Sequence, residues 1–429
     1  MGKIIDHTPF KGCVYAVGGC VRDMVMGSDI KDIDIVVCKE NGGIRLAEFM
    51  RDNDRLVYEP VVYERFGTAM FRLREIPEIE IEAVHTRREW YPDEDSRNPQ
   101  QEFGTIDTDC LRRDLTINSL YLNVTTGELV DFTGKGLDDI TNKVIRTPCD
   151  PNKTYSDDPL RMLRCIRFAT RFGWRIEGET FKGIVANAHR ISIISRERVH
   201  DELVKIMSDP NNTAGIELLY ESGLHKHLGM DISGHQEHKF HDKSNFVRLI
   251  RGGDTRNHML PILQMTYQGD DFDLKGMKFT NDEVRVYNFM VLNSALADVY
   301  GVSPTQENYN KFMMFAKGDD NILFDSIAMT VMYDEPYDDR MMPTEYLNNI
   351  IGLYMRVKTD MEEGNITYRG FELPVNGNDV KSIRGVCGKD VGTILDKLTL
   401  TLLRDHNPSD VTRELCCEII RDVKLDKRD

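Results

Sequence analysis

The stretch AVGGCVRDMVMGSDIKDIDIVV, Ala16–Val37, decides how this chain is read. Residues 14–17 are a short apolar run, and Gly18-Gly19 follow at once. Cys20–Met26 has helix-like character, and residues 32–37 alternate with period two, which predicts a strand. The predicted order is therefore strand, glycine pair, short helix, strand. Side chains at i and i+2 of a strand share a face, so Asp32 and Asp34 stand side by side. Two adjacent carboxylates repel each other unless a cation lies between them. Oxygen-only donors suit Mg²⁺, which typically takes one or two carboxylates together with substrate phosphates. Glycines ahead of a helix let backbone N–H groups approach a phosphate, and the helix N-terminus favours an anion. Gly18 and Gly19 are the expected cradle, with Arg22 one turn into the helix and able to reach the same phosphates.

Outward from this stretch, residues 79–84 also alternate and place Glu80 and Glu82 on one strand face. One of the two can supply the third carboxylate of a two-metal centre, whose ions lie roughly 3.5–4 Å apart. Residues 120–124 and 128–131 flank Thr125-Thr126-Gly127, a hairpin signal. After Pro151 the character changes. Residues 159–171 have helical period and run into Gly173, and 197–207 form a second helical stretch with Ser195 as its cap. The chain then reads mostly helical to 333, with loops at Gly252-Gly253 and 268–273, breaks at the Pro/Asp-rich stretch 334–343, and is helical again over 344–429. No internal repeat or low-complexity tract interrupts it.

A chain of 429 residues exceeds a single core and implies several structural units. Its net charge of −16 argues against a protein that coats nucleic acid indiscriminately, and leaves room for a local basic face. No apolar run approaches the roughly 18 residues of a membrane span. The 9 cysteines contain no CxxC pair, which speaks against zinc; scattered thiols fit a reducing cytoplasm.

Four further blocks accompany Ala16–Val37: EAVHTRREWY at 82–91, LRRDLTINSL at 111–120, DDPLRMLRCIRFATRFG at 157–173 and SRERVHDEL at 195–203. In this order and spacing they resemble the motifs of the class II tRNA nucleotidyltransferases and the related bacterial poly(A) polymerases, within the DNA polymerase β-like superfamily. The resemblance covers about the first 210 residues, and GNDVKSIRGVCGKDVGTILDKL at 377–398 is similar to the tail of these enzymes. It implies an α+β fold: a nucleotidyltransferase head with a mixed or antiparallel sheet over 1–150, a helical neck over 151–210, a helical body over 211–340 and a tRNA-binding helical tail over 341–429. The implied activity is template-independent addition of CCA to the tRNA 3′ end from CTP and ATP, with Mg²⁺ on Asp32 and Asp34 and Glu82, rather than Glu80, as third acid. The alternatives are a poly(A) polymerase, an enzyme adding only CC or only A, and a non-catalytic tRNA-binding protein. By this resemblance the segment from Arg87 to Thr105 looks full length, which favours complete CCA addition over addition of CC alone.

The resemblance assigns Arg112, Arg113, Asp114 and Asn118 to sugar and triphosphate, and Asp158 and Arg161 to the base. Chemistry supports the last pair. Cytosine and adenine each present an amino donor beside a ring-nitrogen acceptor, whereas guanine and uracil present the reverse. Ionised Asp only accepts and Arg only donates, so the pair admits C and A. At i and i+3 the two are expected as neighbours at the start of one helix. Arg164 lies on the same basic arc as Arg161, Arg167 and Arg171, and is expected at the nucleotide or the RNA. His225, His227, His235, His238 and His241-Asp242 form a polar cluster read as a non-metal segment.

Overall fold

In the computed structural model of the chain, residues 1–90, 100–230, 259, 262, 273–330, 343–363, 373–406 and 410–423 are described. Seven strands form one mixed sheet. They are β1 (Val14–Val17), β2 (Asp32–Val37), β3 (Val61–Tyr63), β4 (Thr68–Phe71), β5 (Glu80–His85), and, beyond the separate antiparallel pair β6 (Arg87–Trp90) and β7 (Gln100–Phe103), β8 (Leu120–Asn123) and β9 (Leu129–Asp131). The order across the sheet is β3-β4-β5-β2-β1-β8-β9. Only β2 and β5 run parallel within it.

Alternation decides which face is covered. Ile35 on β2 and Ile81 and Ala83 on β5 are buried against Leu46, Ala47 and Met50 of helix Gly42–Asp52. Full burial of each such aliphatic side chain contributes about 1.5–3 kcal/mol. The helix lies flush on the strands because its first residues lack side chains. A Cβ on Gly42 would come within 2.7 Å of the Val37 side chain, and one on Gly43 within 2.3 Å of the Ala83 carbonyl oxygen. The polar positions of β2 and β5 consequently share the other face. Their register pairs Asp32 with Glu80 and Asp34 with Glu82.

Two helices follow where the sequence reading expects one over 159–171. Helix Pro151–Asp157 is capped by the Asp150 side chain, which accepts from the Asn152 N–H. Asp158 is extended (φ −143°, ψ 99°) and Pro159 follows, so a new helix, Leu160–Phe172, begins there and ends at Gly173 with φ +63°. Leu163, Ile166 and Phe168 are buried, and helix Arg196–Met207 packs beside it through Val199, Leu203 and Ile206.

The chain divides into two compact units, Met1–Met230 with Gly276–Lys278, and the remainder. In the second, helices Asn281–Val302, Gln306–Phe315, Asp320–Thr330 and Pro343–Glu362 enclose Phe312, Ile327, Ile350 and Leu353. Helices Gly377–Arg384, Lys389–Asp405 and Arg413–Asp422 gather round Val380, Ile394, Leu398 and Ile420. Arg384 closes the last of these by donating to the carbonyls of Ile420, Arg421 and Val423. No helix among the described residues is long and apolar enough to cross a membrane.

Candidate functional site

The open sheet face presents carboxylates beside a glycine turn. β1 and β2 pair antiparallel with Val17 opposite Asp34, so the turn after β1 arrives beside that acid. Gly18 there has φ +78°, a conformation that a side chain disfavours. A Cβ on Gly18 would lie 3.5 Å from Arg113 Nη1 and 3.6 Å from Asp34 Oδ2, so the turn runs between a guanidinium and a carboxylate. Burial, then the neighbouring charges of Glu82 and Asp32, push Asp34 up to about 6, against the opposing pull of Arg113. The residue nevertheless keeps substantial solvent contact, which leaves it accessible to a ligand. Glu80 is engaged elsewhere, 3.3 Å from Arg72 Nη2. The acid that presses on Asp34 is therefore Glu82.

These donors suit a hard divalent cation: they are oxygen only, mutually repulsive and open to solvent. Among the described residues, no three His, Cys, Asp or Glu side chains are gathered so closely as to hold an ion unaided. Asp32 and Asp34 are two oxygen donors on one strand face, fewer than an all-protein cage would need.

Behind the turn lies an acid that sequence reasoning missed. Asp109, fully buried on helix Ile106–Leu111, accepts from Arg112 Nη2 at 2.7 Å through one oxygen and from Arg113 Nη2 at 3.0 Å through the other. Tyr121 Oη donates to it at 2.8 Å, and the backbone N–H of Arg87, where β6 begins, at 3.3 Å. Burial would raise this carboxyl, but Arg113 and Arg112 outweigh it and hold the group at about 2. Arg112 also reaches Glu89 of β6 at 3.0 Å. The available signal was spacing: Asp109 precedes the two arginines by three and four residues, the distances at which helical neighbours meet.

A second network holds Arg22. The residue is 3% exposed, and its Nη2 lies 3.6 Å from where a Cβ on Gly19 would stand, so it is seated at the glycine turn. It donates to Asn118 Oδ1 at 2.6 Å and to Asp23 Oδ1 at 2.8 Å, with its guanidinium 5.1 and 5.2 Å from the Phe168 and Phe172 ring centres. Asn118 in turn donates to Asp114, which also accepts from the Leu115 N–H and from Arg164 Nε at 2.8 Å. Burial opposes ionisation of Asp114, but Arg164 and Asn118 prevail and set it at about 2. Asp114, Asn118 and Arg164 are thus bonded to one another, and a sugar or phosphate would have to share these partners.

The two expected base readers are arranged differently from the i, i+3 expectation. Asp158 stands in the break between helices and does not pair with the Arg161 guanidinium. One oxygen accepts from the Leu160 N–H at 3.1 Å and the other from Arg198 Nη2 at 2.8 Å. Arg161, 9% exposed, donates to the Thr154 carbonyl at 3.3 Å. Arg167 sits on Glu202 at 2.7 Å and over Phe168.

Of the histidine cluster, His225 is buried at the Leu219 carbonyl and stacks on Tyr220, as a packing residue would. His235, His238 and His241-Asp242 lie outside the described residues, as do residues 91–99 of the segment whose length was read above.

The sheet order, the acidic open face and the glycine turn define the class as a nucleotidyltransferase head of the DNA polymerase β-like type. Residues 14–146 match the family model described as poly(A) polymerase head domain, and 173–232 match that described as a probable RNA and SrmB-binding site of polymerase A. A tRNA nucleotidyltransferase of Schizosaccharomyces pombe is 35% identical over 227 residues, covering 49% of this chain and 44% of that protein. A CCA-adding enzyme of Ligilactobacillus salivarius is 26% identical over 402 residues, covering 90% and 86%. The solved Thermotoga maritima CCA-adding enzyme complexed with tRNA shares the fold, with TM-score 0.62 and 21% identity over 95% of this chain and 90% of that one. Over residues 14–146 and 173–232 the chain is thus similar to the class II tRNA nucleotidyltransferases and poly(A) polymerases. Its matched region spans less than half the length of the eukaryotic relatives, 44% in the S. pombe protein.

Proposed function

We propose that this protein adds CCA to the 3′ end of tRNA from CTP and ATP, without a template and with release of pyrophosphate. One observation carries the reading: Asp32, Asp34 and Glu82 crowd one sheet face, against a positive-φ glycine turn with Arg113 on its other side. Like charges left crowded beside an anion cradle mark a place for a cation and a polyphosphate together.

In this reading Asp32 and Asp34 hold the divalent cation, Mg²⁺, with Glu82 as the third acid. When bound, the cation supplies charge neutralisation at the reacting phosphates and raises the acidity of the attacking hydroxyl. The backbone N–H groups at Gly18 and Gly19 and the guanidiniums of Arg113 and Arg112 bind the triphosphate, pre-aligned by Asp109. Asp114, Asn118 and Arg164 support the nucleotide from the neck side, and Arg22 holds Asn118 in place for that task. Asp158 accepts from the amino group of C or A while Arg161 donates to the ring nitrogen. G or U would leave a buried polar group unpaired, a cost of about 1–3 kcal/mol per contact. No covalent intermediate is required; catalysis is positioning and electrostatics. The similarity of most of the chain to a CCA-adding enzyme supports tRNA as the acceptor. The nine free cysteines support a reducing compartment such as the cytoplasm.

The test is incubation of the purified protein with a tRNA transcript ending at the discriminator base, each nucleoside triphosphate alone and then all together. Two C residues and one A are expected. A long A tract on varied RNA would support the poly(A) reading that the head-domain match leaves open, and tRNA binding without pyrophosphate release would establish an inert binder.

A further inference from the structure

Asp158 has no helix to hold it. It follows the last residue of one helix and precedes Pro159, and its backbone is extended. A carboxylate in that position can swing about χ1 unless something outside its own backbone fixes it. Two groups do. The Leu160 N–H anchors Oδ1 at 3.1 Å, and Arg198, forty residues on, anchors Oδ2 at 2.8 Å. Arg198 comes from helix Arg196–Met207, a rigid element packed beside Leu160–Phe172 through Val199, Leu203 and Ile206. Its neighbours on that helix have other duties: Glu202 takes Arg167, and Glu197 lies 3.3 Å from Lys278. No ion pair joins Asp158 to Arg161, whose guanidinium is held separately by the Thr154 carbonyl.

We propose that Arg198 is a specificity-determining positioning residue. It aims the Asp158 carboxylate so that its remaining lone pairs meet the amino group of C or A, without itself touching the base. The inference rests on the assignment of Asp158 as a base reader. A planar, permanently charged guanidinium suits this work because its fork fixes direction as well as distance. The side chain of Arg198 is 48% exposed, so its removal leaves no buried hole. Misaiming a hydrogen-bond partner by about 1 Å can cost on the order of 100-fold in rate, which sets the scale of the effect.

The experiment uses the full chain in four forms: native, Arg198→Ala, Arg198→Lys and Asp158→Ala. Single-nucleotide incorporation into tRNA ending at the discriminator base or at CC is measured for all four triphosphates, and tRNA binding is measured in parallel. Arg198→Ala is expected to lower the preference for CTP over UTP and for ATP over GTP by about 10- to 100-fold. The KM for correct nucleotides should rise more than kcat falls, and tRNA binding should be unchanged. Arg198→Lys should recover part of the preference. The proposal is overturned if Arg198→Ala discriminates as the native protein does while Asp158→Ala does not. If Asp158→Ala also keeps full discrimination, the base-reading assignment itself is wrong and the proposal falls with it.

Discussion

Two groups of charges in the head, linked through Arg113, follow opposite rules. On the open face, Asp32, Asp34 and Glu82 repel one another, and Asp34 is driven up to about 6. Behind the turn, Asp109 and Asp114 are buried yet held at about 2, because each has guanidinium partners at hydrogen-bonding distance. The second group is electrically complete within the chain, whereas the first is not. Arg113 belongs to both, bonded to Asp109 behind and aimed at the Gly18 turn in front. The contrast separates two kinds of charge: satisfied ones build the frame, and crowded, uncompensated ones are where the proposed cation and triphosphate would be accommodated.

The largest expected effect breaks the open side of this contrast. Asp34→Asn should reduce nucleotide incorporation by at least about 10²–10³-fold, as loss of transition-state electrostatics does. In cation-free buffer the same variant should melt no lower than native protein, because a repulsive neighbour has been removed. A fall in both activity and melting temperature would show that Asp34 is part of the frame. Chelating divalent cations should likewise stop incorporation by the native protein while leaving its fold intact by circular dichroism.

The opposite variant acts on the frame. Asp109→Asn leaves two guanidiniums without their shared counter-charge, and breaking a buried pair costs on the order of 3–5 kcal/mol. Chemical denaturation should register that loss, and surviving folded protein should show a raised KM for nucleotide. Unchanged stability would remove Asp109 from the centre of the network.

Acid separates the two groups without mutation. Asp109 and Asp114 have folded values near 2, below the unfolded value of roughly 3.9. Their contribution is therefore complete above about pH 4 and is lost as pH falls through 4 towards 2, each on the order of 2 kcal/mol. Denaturation midpoints measured from pH 7 to 2.5 should drop mainly at the low end. Asp109→Asn should flatten that drop. A smaller effect is expected of Gly18→Ala, whose φ of +78° strains any side chain by about 1–2 kcal/mol. Its melting temperature should fall by a few degrees and its KM for nucleotide should rise.

Much of this was legible in the sequence, for definite reasons. Alternation at 32–37 and 79–84 put the acids on strand faces, and the pairing of Asp34 with Glu82 fits that reading. The glycine pair announced the turn. What could not be read was partner choice. Nothing in DDPLRMLR says that Asp158 meets Arg198 instead of Arg161, since that contact spans forty residues. Nor does local spacing show that Phe168 and Phe172 reach Arg22 from a helix far along the chain and cover it. Local spacing gives a residue's direction, and tertiary packing decides whether that direction is vacant.

The flush seat of helix Gly42–Asp52 has a consequence for the opposite side of the sheet. Gly43 lets the helix rest directly on the Ala83 carbonyl, one residue from Glu82. A single methyl there would have to push either the helix outward or β5 away from it. The placing of Glu82 beside Asp34 is thus gauged from the rear by an atom that is missing, and a hydrophobic change with no access to solvent would be felt on the acidic face.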